Sequence, residues 1–240
     1  MNRPVNIVVS ALGGEGGGVL AGWITRLADS QGYITQSTSV PGVAQRTGAT
    51  IYYIEIFPRS DADAVQQKPV MALFPTQGDV DIVIASEIVE AGRSIQRQFA
   101  TPDKTTLITS SHRSYAISEK IALANGIANS AELIEVAKRS AKKFICFDML
   151  EVARSNDSVI SSVLFGALAG SAALPFSKES FEETIREGGI AVETNLRAFD
   201  ASYEKAISSA AGGVEQFEPT RKKDSHQAFE LPAGTNTQGR

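Results

Sequence analysis

The chain has 240 residues, 42% of them hydrophobic and 21% charged, enough to bury the core of one ordinary globular domain and too apolar for a disordered protein. Its 23 Lys and Arg stand against 27 Asp and Glu, a formal net charge of −4 that offers no basic footprint for phosphates and speaks against nucleic acid as a partner. One cysteine, Cys146, excludes an intrachain disulfide and cannot supply the four thiolates of an iron–sulfur cluster.

Residues 5–12 form a β-branched apolar run that passes straight into glycines, with no small-residue cleavage site, and read as a first strand rather than a signal peptide. Over residues 19–30, Leu20, Trp23, Ile24 and Leu27 recur at helical spacing, and Gly32 supplies a stop. Alternation over 33–39 predicts a second strand before the turn pair Pro41-Gly42; the aromatic, β-branched 50–57 predicts a third, ended by Pro58. Residues 81–85 predict a buried strand, with Ser86 and Glu87 placed to cap a helix reaching about Phe99. Two further strands, 105–109 and 143–147, flank an Ala-rich helix at 132–142. This alternation predicts an α/β fold: a three-layer domain with a largely parallel sheet, ligands binding beyond the carboxyl ends of its strands, and a helical C-terminal half.

In that second half, Asp157 is placed to cap a helix whose Ile160, Val163, Leu164, Ala167 and Leu168 share one face. Gly166 and Gly170, one turn apart, allow close approach of another backbone, from within the domain, the simpler reading, or from a partner subunit. Helices follow at 178–187 and 191–209 around Gly188-Gly189. The richest apolar stretch, 161–176, is broken by serines and glycines and is shorter than the roughly 20 residues of a membrane span, so a cytoplasmic, membrane-free protein is expected. The domain is expected over 1–210, with 211–240 a polar, aperiodic tail or linker.

Two loops carry the chemistry. Gly13-Gly14-Glu15-Gly16-Gly17-Gly18 lies between strand and helix, where backbone N–H groups can cradle a phosphate; the competing reading is a tight turn that needs small residues. Glu15 would repel a phosphate unless it points away or accepts a hydrogen bond from a ring nitrogen or amine. Gly16, Gly18 and Ala21 match the G-x-G-x-x-A dinucleotide fingerprint, but Gln36-Ser37-Thr38-Ser39 gives no acid for a ribose, so NAD is disfavoured. No Walker lysine follows the glycines. In the second loop, Gln45, Arg46 and Thr47 form either a solvated surface or a clamp for a phosphate or carboxylate. His112 lacks neighbouring ligands for a metal, Cys146 reads as a buried structural thiol, and Glu55 and Asp148 read as surface or cap groups rather than general bases. Neither a catalytic nor a metal-binding residue is assigned to this chain.

The segments SALGGEGGGVLAGWI and STSVPGVAQRTGATIYYIEIFP resemble the gamma-type domain of the 2-oxoacid:ferredoxin oxidoreductases. They are most similar to the beta-subunit branch of the indolepyruvate enzymes, where the first loop commonly reads GGQGG and the second VPGVAQRTGAT. Glu15 stands where that branch has glutamine. SNDSVISSVLFGALAGSAALPF and GGIAVETNLRAFDASYEKA extend the resemblance to about Ser209. It implies a small subunit inactive alone, paired with a large subunit that holds thiamine diphosphate and [4Fe–4S] clusters. The pair would decarboxylate an aryl 2-oxoacid such as indolepyruvate, pass the acyl group to coenzyme A and send electrons to ferredoxin. The chain lacks the GDG…N signature of thiamine enzymes and any cysteine cluster, in keeping with such a division, and holds no cofactor by itself. On this view Gly13, Gly14, Glu15, Gly16, Gly17, Gly18, Gln45, Arg46 and Thr47 complete the partner's cofactor site. The alternatives are a stand-alone NADP- or flavin-dependent dehydrogenase and a non-catalytic assembly subunit.

Overall fold

The first apolar run forms strand β1 (Val5–Leu12), buried on both faces from Asn6 to Ala11, in the computed structural model, which describes residues 3–41, 49–58, 70–113 and 130–210. The chain continues through α1 (Gly17–Ser30), β2 (Ile34–Pro41), β3 (Ala49–Phe57), β4 (Ile82–Ala85), α2 (Ile88–Gln96), β5 (Thr106–Ser110), α3 (Ser130–Arg139) and β6 (Lys143–Phe147). Then come α4 (Met149–Ser155), α5 (Ile160–Gly170), α6 (Lys178–Gly188) and α7 (Val192–Ala210).

The strands form one sheet in the order β2-β3-β1-β4-β5-β6. β1 pairs in parallel with β4, β4 with β5, and β5 with β6, whereas β3 is antiparallel to both β1 and β2. β3 is therefore the one reversed strand, and the sheet is largely parallel as expected. The reversal follows from connection length: the short link between β2 and β3 suits a hairpin, while parallel neighbours need a long crossover. On one face Ile7, Val9, Ile54 and Ile84 pack against α1 and α4 to α7; on the other Val8, Tyr53, Val83 and Leu107 pack against α2 and α3. These are the three layers.

α5 is buried all round except at Ala169, with Phe165 against Trp23 and Phe181 at ring-centroid distances of 5.4 and 4.8 Å. It crosses α7 through its glycines: a Cβ on Gly166 would lie 3.0 Å from Phe199 Cα and nearer still to the Phe199 carbonyl oxygen, and one on Gly170 would lie 2.6 Å from Tyr203 O. Both glycines thus serve packing inside the domain.

Several local expectations need correction. The N-cap of α5 is Val159, without a side-chain bond; Asp157, at φ 52°, lies in the turn two residues before the cap position. Ser158 Oγ is instead 2.8 Å from Asn195 Oδ1 and ties this turn to α7. The helix after Ser86 stops at Gln96, because Gln98 takes φ 58° and the Phe99 N–H returns to Ser94 O at 2.9 Å. Helix α3 runs over Ser130–Arg139 rather than 132–142, and α1 begins at Gly17 rather than residue 19. Glu55 is not a surface group but 5% exposed, accepting the Tyr53 hydroxyl at 2.6 Å and the Ala72 N–H at 2.9 Å. Helix α4 has no counterpart in the sequence reading, although Asp148 caps it through the Glu151 N–H at 2.9 Å, in the cap role read for it. The expected tail, 211–240, lies outside the described residues, among which no helix is long and apolar enough to cross a membrane.

Candidate functional site

Because β1, β4, β5 and β6 run in parallel, their carboxyl ends open on one edge of the sheet, where Leu12, Ala85, Ser110 and Phe147 lead into loops. In an open α/β sheet this edge is where ligands bind. The glycine loop occupies it. Gly16 is the N-cap of α1 at φ 71°, ψ 22°, a left-handed conformation that a side chain rarely adopts, and Gly17 is buried so tightly that a Cβ would lie 2.8 Å from the Tyr52 ring. The tight-turn reading therefore accounts for these two positions. It leaves α1 without a side-chain cap, so the first-turn N–H groups lack both an intrahelical and a capping acceptor.

Glu15 turns back into the sheet edge rather than toward those N–H groups. One carboxylate oxygen is 3.1 Å from His112 Nε2, and the other accepts the Ser86 hydroxyl. Ser86 Oγ in turn accepts the Leu12 N–H at 3.1 Å. On the far side of the imidazole, Nδ1 is 2.7 Å from Ser110 Oγ, which already accepts the Met149 N–H at 2.9 Å. The Ser110 proton is then free to go to Nδ1, which assigns Nε2 as the N–H that donates to Glu15. Four elements are joined through one carboxylate. This is the ring-nitrogen bond considered for Glu15 from sequence, and His112, set aside as a poor metal ligand, is its source.

Charge at this edge is mainly negative. Burial alone would push Glu15 up, but the hydrogen bonds from His112 and Ser86 outweigh it and hold the carboxyl below its ordinary value. Behind it Glu90, 1% exposed, is pushed up by burial despite its pairing with Arg93, and Glu87 caps α2 through the Glu90 N–H at 3.2 Å. The Glu15 charge, with Glu90 near enough to interact with it, disfavours a phosphate directly beside this carboxylate and favours an N–H or O–H donor there. A diphosphate is disfavoured directly beside Glu15, and the single thiol of Cys146 does not fit a [4Fe–4S] cluster. That thiol is half-buried on β6, and burial, then the charge of Asp148, push it up to about 12. Among the described residues no group of three or more His, Cys, Asp or Glu could hold a metal ion.

Gln45, Arg46 and Thr47 lie outside the described residues. Their anchors are clear: Pro41 pairs with Thr50, and Ala49 pairs with Leu12, the residue before the glycine loop. Both loops thus spring from the same end of neighbouring strands. The Glu15 to His112 bond spans 97 positions and had no local signal; only the order of strands brings the two together.

The family model for pyruvate ferredoxin/flavodoxin oxidoreductase matches residues 6–205. Among curated proteins, the chain is 31% identical to the indolepyruvate oxidoreductase subunit IorB of Archaeoglobus fulgidus, over 88% of this chain and 99% of that one. It is 30% identical to the IorB subunit of Pyrococcus horikoshii, over 85% and 96%. The fold is shared with pyruvate oxidoreductase subunit PORC of Thermotoga maritima (TM-score 0.56, 15% identity, 84% of this chain and 96% of that one). It is shared also with part of a 2-oxoglutarate:ferredoxin oxidoreductase from Magnetococcus marinus, solved with 2-oxoglutarate, coenzyme A and succinyl-CoA bound (TM-score 0.57, 14% identity, 91% and 33%).

Proposed function

Since this chain belongs to the pyruvate ferredoxin/flavodoxin oxidoreductase family, as a small subunit of the 2-oxoacid:ferredoxin oxidoreductase kind, we propose that it serves an enzyme of the indolepyruvate type. That enzyme oxidatively decarboxylates an aryl 2-oxoacid to an acyl-CoA and passes the electrons to ferredoxin. The observation that carries this reading is the likeness to indolepyruvate oxidoreductase subunits along almost the whole length of both chains. A large cytoplasmic partner holds thiamine diphosphate and the [4Fe–4S] clusters, a division supported by the single cysteine of this chain. Residues 1–210 form the family domain and 211–240 a tail.

The contribution of this chain is to complete the partner's site. The glycine loop and the Gln45-Arg46-Thr47 segment face the large subunit, supported by their origin at one sheet end. The first-turn N–H groups of α1 and the Arg46 guanidinium receive anionic groups, either coenzyme A phosphate or the substrate carboxylate. Glu15, held by His112 and Ser86, takes a hydrogen-bond donor instead. No side chain of this subunit is a nucleophile.

The test is indolepyruvate-dependent reduction of ferredoxin or a viologen dye, with thiamine diphosphate and coenzyme A, by this chain alone and co-expressed with the large subunit. Activity in the pair only is the expected result. Dye reduction by the single chain overturns the proposal.

A further inference from the structure

A cavity of about 490 Å³ opens between the glycine loop, the first turns of α1 and α5, helix α4 and the link from α6 to α7. Its walls are apolar, with Trp23, Leu150, Ala153 and Ile160 from three helices. At its mouth stand Val19, Val159 and Ile190, exposed by 50%, 54% and 79%. Single exposed hydrophobic residues are ordinary, but three from separate elements converging on one concave apolar space mark a binding site. The volume falls within the roughly 300–1,000 Å³ of small-molecule sites.

Four polar side chains interrupt these walls; Ser158 and Asn195 are engaged with each other at 2.8 Å, which leaves two for a ligand. Ser161 is 1% exposed and its hydroxyl has no hydrogen-bond partner; it lies against the loop, 2.9 Å from where a Cβ on Gly16 would be. A buried hydroxyl left unpaired is costly, which identifies a position that a ligand atom satisfies. The second is Glu15, adjacent to Gly16 in sequence, a lining residue whose side chain keeps 17% of its surface exposed beside its bonds to His112 and Ser86. Of the roughly four lone-pair positions of a carboxylate, His112, Ser86 and the Leu12 backbone take three, so one more donor can be accepted.

The chemistry of the ligand follows. The carboxylate of Glu15 calls for a donor rather than an anion directly beside it, and the mainly apolar walls disfavour a sugar or a polyamine. We infer that this cavity binds an aromatic ring carrying one N–H or O–H donor, the ring against Trp23, Val159 and Ile190 and its polar atom at the Gly16 end, between Glu15 and Ser161. Identification of that ring with the aryl side chain of the oxoacid rests on the proposed function; the ring site itself rests on the cavity alone.

The experiment is a methyl-detected NMR titration of the full chain, with indole and 1-methylindole as probes. Indole is expected to give saturable shifts at the methyls of Val19, Val159 and Ile190, and 1-methylindole, which lacks the donor, to bind at least about tenfold more weakly. Ile190→Asp, on the exposed rim, should leave the fold intact and remove the shifts at Val19 and Val159. Equal affinity for the two probes, or no saturable shift at these methyls, overturns the inference. So does a wild-type chain that ignores indole while Ile190→Asp loses the large subunit in co-purification, since the rim is then a subunit surface. Ring binding without activity in the pair retires the enzyme assignment and keeps the site; activity in the pair without ring binding does the reverse.

Discussion

Replacing Gly166 by alanine tests the packing of the helical layer, because the added methyl meets backbone rather than a side chain that can move. At the ideal position the new Cβ is 3.0 Å from both Cα and the carbonyl carbon of Phe199 and closer to its oxygen, well inside the normal contact distance of about 3.5–4.0 Å. α5 and α7 must separate to admit it. Overpacking of this sort costs about 1–3 kcal/mol, and the upper end applies because no rotamer change relieves it. Against that, alanine in a helix interior is better than glycine by about 1 kcal/mol. The net loss is therefore about 1–2 kcal/mol, or roughly 2–8 °C in Tm for a domain of this size. Gly22 is the control: it lies in α1, is exposed, and a Cβ there meets nothing within 4 Å, so Gly22→Ala should stabilise by about 0.5–1 kcal/mol. The assay is urea unfolding of both variants followed by circular dichroism. A Gly166→Ala protein as stable as Gly22→Ala would refute the close crossing of α5 and α7.

Glu15 is held below its ordinary value, so the stability it contributes is complete above the unfolded carboxyl range, near pH 4.3, and is lost as pH falls through the folded value. Glu15→Gln should accordingly flatten the acid limb of the stability–pH curve relative to wild type; parallel curves below pH 5 would deny the bond to His112 this effect. With its thiol pushed up to about 12, Cys146 should be about one part in ten thousand thiolate at pH 8 and should react with iodoacetamide at least about a hundredfold more slowly than glutathione. Labelling at the glutathione rate would contradict its burial. Arg46→Ala should lower kcat/KM for coenzyme A or oxoacid by about 10- to 100-fold, the worth of one charged hydrogen bond, while the complex still assembles; unchanged kinetics would reduce Arg46 to a surface charge.

Much of the fold was legible because its strands are short apolar runs punctuated by glycine and proline, and the alternation of strand and helix points to the layered class. The packing role of Gly166 and Gly170 was legible for the same reason, their one-turn spacing within an apolar helix. What failed depended on groups distant in sequence. Asp157 looks like a cap because it is acidic and precedes a periodic run, yet the cap position falls to Val159, and Ser158 ties the turn to Asn195, 37 positions away. Glu55 looks exposed because an isolated acid in a strand usually is, yet Tyr53 and the Ala72 N–H satisfy it inside. For the site, the glycine loop announced itself and the possible ring-nitrogen partner of Glu15 followed from charge, but His112 as that partner required the order of β1, β4 and β5. The seven-residue α4 was too short for periodicity to reveal.

The burial of α5 on every side has a kinetic consequence. Beyond its first turn, which lines the cavity, its N–H groups are covered by α7, its most extensively packed neighbour, so their deuterium uptake should follow global unfolding rather than local breathing. α3, of which Ala137 is the one buried residue, should exchange well before it. The hydroxyl of Ser161 is thus mounted on a helix held inside the core, whereas Ile190 sits on a link between two helices, which lets the mouth of the cavity fluctuate over a more rigid floor.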